Sequence, residues 1–270
     1  LCRQKRFHEV LEKCRYTSLD DEEEYSIDVI QPEKIEFKQN SYEDGENSII
    51  SFPEFLLLVL DVCTGGEQPA SHYQPDKLIE KFDALKTYFT AGEFYEKMLY
   101  YRLLLDYYTI RRDIKDGQGN YSLILKGPKD DSDKLKQYQS MLYVSTEAFY
   151  NWLKPYLRKL EQDELHSCAE MLAFLKKGDN ERHSILPARK ELSYKASGNI
   201  RYWFWRLDYY LWEQRSTFFN EEEQKIVEHY VFRRNRSIEH LHPQDESHNE
   251  EWEEEAVHSF GNLAMISQSF

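Results

Sequence analysis

Apolar residues recur at helical spacing along most of the chain. Ser51-Phe52-Pro53-Glu54 places a capping serine and a first-turn proline ahead of an apolar run to Val62, which Gly65-Gly66 ends. That pattern predicts a buried helix. Gln74-Pro75-Asp76 opens a second one, with Leu78, Phe82, Leu85 and Phe89 on a single stripe. Phe94, Met98, Tyr101, Leu105 and Tyr108 repeat the stripe in a third. Asp116 to Asn120 reads as a turn, and Tyr121 to Leu125 is the one central segment with much strand character. Helices resume from Asp133, run from Thr146 to Leu160 with a kink at Pro155, and continue from Glu164 to Lys177. Residues 20–50 and 178–198 read as loop-rich. Near the start, residues 3–15 carry a basic face and Asp20 to Glu24 form an acidic connector. The fold class is therefore mainly α.

The chain has 270 residues, of which 40% are hydrophobic, and its 20 Tyr, 15 Phe and 5 Trp suffice for a sizeable core. The longest apolar run, Phe55 to Leu60, falls far short of the roughly 20 residues that span a bilayer, so no membrane partner is expected. Cys2, Cys14, Cys63 and Cys168 show no C-x-x-C spacing, which points to a reducing, cytoplasmic setting. A net charge of −14 excludes coating of nucleic acid by charge alone. The absence of an initial Met and of a signal segment suggests a fragment of something longer.

Between Ile200 and Trp212 lie seven aromatic residues, among them Tyr202, Trp203, Trp205 and Tyr210. Such density invites a base-stacking surface, but aromatics all around a helix mark a buried helix more often. We expect core here.

The chemistry concentrates near the end. Four of the nine histidines, His240, His242, His248 and His258, fall within 19 residues. Glu239 directly precedes His240. Neighbours on a strand face opposite ways, yet at a strand end a carboxylate can hold a hard divalent cation while the imidazole takes a proton from a nearby water. Such a pair suits metal-assisted hydrolysis.

The order Glu239-His240-Leu241-His242-Pro243, followed by Gly261-Asn262-Leu263, resembles the HNH (His-Me finger) nuclease signature. More narrowly, Ile238-Glu239-His240-x-x-Pro243-Gln244, the downstream Trp252 and His258-x-x-Gly261-Asn262-Leu263 resemble the C-terminal domain of GmrSD-type modification-dependent restriction proteins. The resemblance implies a small ββα-metal (HNH-like) element over residues 220–270, truncated at its C-terminus, joined to a helical body over 1–219. It implies His240 as general base, Glu239 as metal ligand and Asn262 as the residue orienting the base. His242 is a candidate further ligand. One divalent metal ion, Mg²⁺ or Mn²⁺, would be the cofactor and DNA the substrate. The family's last ligand, on the helix after the Asn-Leu turn, would lie past Phe270. A nucleotide-binding domain or partner subunit outside this chain is also implied, and Asp116-Gly117-Gln118 is too slight a match to its motif to predict nucleotide hydrolysis here.

Residues 237–270 carry eight acids and no Lys or Arg, whereas Arg233, Arg234 and Arg236 stand directly before the motif. Those three are the candidate phosphate contacts. His258 and Trp252 are expected mainly to pack, and the acids from Glu250 to Glu255 to form a solvated face. The predicted function is a metal-dependent HNH-type endonuclease acting on foreign or modified DNA. The alternative is a non-catalytic helical interaction module with a degenerate HNH-like scaffold.

Overall fold

Helix starts in this protein are written into short polar motifs. Ser51, Thr90, Ser167 and Asn220 each cap a helix whose third residue, Glu54, Glu93, Glu170 or Glu223, reaches back to the capping residue's own N–H. These helices are α1 (Phe52–Thr64), α3 (Ala91–Tyr108), α6 (Cys168–Arg182) and α9 (Glu221–Glu228). Gly65 ends α1 in the left-handed region at φ 70°, where its missing Cβ removes the penalty. The computed structural model describes residues 45–65, 68–114, 121–128, 131–145, 147–196, 199–234, 236–242 and 252–267. All of these lie in one compact unit, 42–270, while the basic face at 3–15, the acidic run at 20–24 and the turn at 116–120 lie outside the described residues.

The architecture is mainly helical, with ten α-helices and two small sheets among the described residues. The remaining helices are α2 (Leu78–Leu85), α4 (Ser132–Val144), α5 (Phe149–Glu161), α7 (Ile200–Glu213), α8 (Arg215–Phe218) and α10 (Glu254–Val257). No helix of the described residues is long and apolar enough to cross a membrane. The stripe expected to run to Phe89 breaks early, because α2 stops at Leu85 and a 3-10 turn leads to Thr90, which caps α3. Phe82, Phe89 and Phe94 still pack ring against ring at 5.1–5.8 Å. α6 runs on to Arg182, five residues past its expected end and into the stretch read as irregular.

A three-stranded antiparallel sheet joins β1 (Gly45–Ser48), β2 (Arg111–Ile114) and β3 (Tyr121–Ile124) in that order. The sequence pattern predicts only β3. β2 reads Arg-Arg-Asp-Ile, a charged string that acquires strand geometry from its two neighbours. Gln139 ties this sheet to the helices, accepting from the Ile110 N–H at 2.9 Å and donating to the Tyr108 carbonyl at 3.0 Å. Gly127 passes so close to α3 that a Cβ there would sit 1.7 Å from the Tyr107 carbonyl oxygen, which leaves room for no side chain.

The main core gathers α1, α3, α4, α5 and α6 around Leu58, Tyr101, Leu135, Met141, Trp152 and Tyr156, with Trp205, Tyr209 and Trp212 entering from α7. Two buried carboxylates brace it. Asp61 on α1 receives the Tyr73 hydroxyl at 2.6 Å and lies 2.6 Å from the Lys154 ammonium of α5. Asp179 on α6 is fully buried and accepts from the hydroxyls of Tyr138 on α4 at 2.8 Å and Tyr202 on α7 at 2.9 Å. Arg182 and Arg206 stand 3.7 and 3.8 Å from it and balance its charge, and the His183 ring lies 3.9 Å away. Burial, and then Asp179 itself, raise both tyrosines well above the ordinary phenol value. Arg182 also serves α5. Pro155 lacks an N–H for the Asn151 carbonyl inside that helix, and the Arg182 guanidinium donates to the oxygen at 3.0 Å.

Replacing Asp179 by Ala is expected to lower stability by about 3–5 kcal/mol, because it strands buried hydroxyls and cations together. Asp179→Asn, which keeps acceptor capacity through one oxygen, is expected to cost less. Chemical denaturation followed by tryptophan fluorescence measures both, and equal losses would mean that the negative charge carries the interaction and the retained amide acceptor contributes nothing.

Candidate functional site

The end of the chain forms a second, smaller core on the flank of α7. Ile200 and Phe204 of α7 pack with Leu263, and Ile238, Phe260 and Met265 close around them. Two antiparallel strands carry these residues, β4 (Arg236–His240) and β5 (Leu263–Ser267), in the register Ile238 to Met265, Glu239 to Ala264 and His240 to Leu263. The period of two fixes the faces. Ile238 turns into the small core, Glu239 is exposed, and His240, at the last position of β4, is half-buried.

The imidazole of His240 has a built environment. Its Nε2 lies 3.1 Å from Nδ1 of His258, a buried residue that closes the one-turn helix α10. Tyr194 packs edge-on to His240 at 4.5 Å and parallel to His258 at 6.0 Å, and its N–H donates to the His258 carbonyl at 2.9 Å. One of the two facing nitrogens donates and the other accepts, so the contact cannot carry a proton on both of them. Burial first, then the neighbouring His258, lower the proton affinity of His240 below its ordinary 6.5, while the Glu239 charge pulls the other way. The imidazole is therefore neutral at physiological pH, the form that accepts a proton.

Asn262 is 4% exposed and directs its side chain to backbone groups. Its Oδ1 accepts from the His242 N–H at 2.8 Å, and its Nδ2 donates to the carbonyls of Val257 at 2.7 Å and His242 at 3.3 Å. The Asn262 carbonyl in turn accepts from the Leu241 N–H at 2.8 Å. This one residue thus fastens the chain leaving β4 to the turn entering β5. It fixes the frame of His240 through the backbone. The His242 ring stacks on Trp252 at 4.2 Å, nearly parallel.

The structure brings Glu239, His240, His242 and Asn262 to one end of the hairpin. The arginines differ among themselves. Arg234 lies over the Tyr143 ring at 4.2 Å and donates to its carbonyl, tying the approach to β4 onto α4. Arg233 is exposed, and Arg236 opens β4 opposite Ser267. Tyr194 carries no sequence signal of its own, since it sits in a stretch with no periodicity. His258 packs as expected, and it also meets the ring of His240.

Among the described residues, no group of three His, Cys, Asp or Glu side chains is arranged to hold a metal ion. The donor chemistry still fits a hard divalent ion of the Mg²⁺ type, which needs one or two carboxylates and keeps several waters or phosphate oxygens. Glu239 offers that carboxylate in an exposed position beside a neutral imidazole. Pro243 to Glu251 and Gln268 to Phe270 lie outside the described residues.

Residues 179–270 match the family model described as GmrSD restriction endonucleases, C-terminal domain. The match takes in Asp179, all of α7 and the whole β4–β5 hairpin, so this third of the chain is similar to the C-terminal domain of those restriction endonucleases. No curated protein and no solved structure matches the chain.

Asn262→Ala removes three hydrogen bonds of a buried side chain and is expected to cost about 1–3 kcal/mol. Loss of protection at the His242 amide in hydrogen exchange should exceed that at Ile238. A uniform change across the hairpin would show instead that Asn262 only fills space.

Proposed function

We propose that the β4–β5 hairpin carries a metal-dependent, HNH-type nuclease site that hydrolyses DNA phosphodiester bonds in the restriction of foreign or modified DNA. The observation that carries this reading is the His240 imidazole, kept neutral at a strand end beside an exposed carboxylate, within a stretch that matches a restriction-endonuclease domain. In this reading β4 and β5 are the two strands of a ββα element.

Each residue then has one role. His240 draws a proton from the attacking water, its ring held by His258 and Tyr194. Glu239 would hold a Mg²⁺ or Mn²⁺ ion, with His242 as a further donor. When bound, that ion neutralises the scissile phosphate and the departing 3′ oxygen. Asn262 keeps the loop after His240 in register. Arg233 and Arg236 are the phosphate contacts, while Arg234 steadies their segment against Tyr143. The products would carry 5′-phosphate and 3′-hydroxyl ends.

Nicking of supercoiled plasmid, unmodified or carrying modified cytosines, with Mg²⁺ or Mn²⁺, tests the reading. His240→Ala is expected to lower the rate roughly 10²–10⁴-fold, the usual contribution of a general base. Since the active form is neutral and its proton affinity is depressed, the rate should rise with pH through a midpoint below 6.5 and then level off. Nicking that survives His240→Ala unchanged would return the hairpin to the role of a scaffold in a protein-interaction module.

A further inference from the structure

Helix α7 has a second face that the core does not use. Trp205, Tyr209 and Trp212 are buried, but Trp203, Arg206, Leu207 and Tyr210 fall at i, i+3, i+4 and i+7 on the other side. With Leu192 and Phe260 they line an open groove of about 300 Å³. Tyr210 is 51% and Leu207 38% exposed. Arg206 forms a fixed planar wall: its guanidinium bonds the Tyr202 hydroxyl at 2.8 Å and the Asn180 side chain, and lies 5.6 Å from the Trp203 ring centre. Phe260 stacks on Phe204 at 4.2 Å and stands two residues from both His258 and Asn262. The groove and the histidine site therefore share one turn of chain.

Flat rings beside a guanidinium plane suit an aromatic base, whose π-face stacks on such walls whatever its sequence identity. The charge agrees. In a chain of net −14, the stretch from Arg182 to Arg206 that builds the groove holds six basic residues and one acid. The loop leading to it exposes Ile185 by 87% and Leu186 by 77%, ahead of Arg189 and Lys190. Adjacent bare aliphatics next to cations are the composition of a wedge that unstacks a base step.

We propose that this groove takes up an unpaired base of the DNA strand, stacked against its aromatic walls, while the backbone runs on to His240. The identity of the strand rests on the nuclease reading; the stacking does not. A single-stranded DNA oligonucleotide containing 2-aminopurine, mixed with the whole chain in EDTA so that nothing is cut, reads the contact directly. Wild type is expected to quench the probe. Tyr210→Ala and Leu207→Lys, both at exposed positions, should weaken binding roughly tenfold and restore much of the fluorescence, while Tyr88→Ala, an exposed aromatic outside the groove, should quench like wild type. Quenching that both groove variants retain would overturn the proposal, as would stronger quenching of the matched RNA or concentration-dependent self-association that Leu207→Lys abolishes. The two readings separate in this assay. His240-dependent nicking without groove-dependent quenching sinks the groove alone, and groove-dependent quenching of DNA in a protein that never nicks sinks the nuclease alone.

Discussion

The placing of the hairpin depends on one fully buried carboxylate. Asp179 sits on α6, takes the hydroxyl of Tyr138 from α4 and that of Tyr202 from α7, and is balanced by Arg182 and Arg206. An unpaired charge at that depth would cost several kcal/mol, so the network holds only when every member is in place. Its consequence is geometric. Tyr202 and Arg206 lie on α7, the helix whose other residues, Ile200 and Phe204, form the bed on which the β4–β5 hairpin rests. Fixing α7 to the body fixes the frame in which His240 and His258 meet.

Two-stranded hairpins are marginal on their own, and this one draws its order from two sources. Apolar contact comes through Ile238, Leu263 and Met265 against α7. Polar closure comes through Asn262, whose amide satisfies backbone groups on both sides of the long connection between the strands. The second source explains why an Asn is needed here. Its side chain offers an acceptor and donors in one plane, and Asp or Leu of similar size could not bond both an N–H and two carbonyls.

Helices are legible in the sequence where their caps and stripes are local. Ser51, Glu54, Pro53 and Gly65 mark both ends of α1, and the aromatic run at 200–212 reads correctly as a mainly buried helix. What stays hidden is non-local. β1 and β2 carry little strand character of their own and exist by pairing. α6 runs past Gly178 because Asp179 is held by partners 41 and 23 residues away, which no window of periodicity contains. At the site, Glu239, His240 and Asn262 stand out by their order along the chain, whereas Tyr194 sits in a stretch of no pattern and meets His240 only through the fold.

Charge shows the same dependence on folding. Read linearly, residues 237–270 hold eight acids and no Lys or Arg, a composition that repels DNA. Folded, the hairpin lies against α7, and the basic stretch from Arg182 to Arg206 supplies that helix and the turn bearing Tyr194. Lys195 pairs with Glu254 across the two segments, so part of the acidic charge is already neutralised within the domain. The exposed Glu239 keeps its place at the strand end, where a carboxylate open to solvent can serve a cation. In the proposed nuclease reading, the acid at the strand end and the base along the flank would be complementary parts of one surface, the flank meeting the phosphate backbone and the acid holding the ion that lets the phosphate approach.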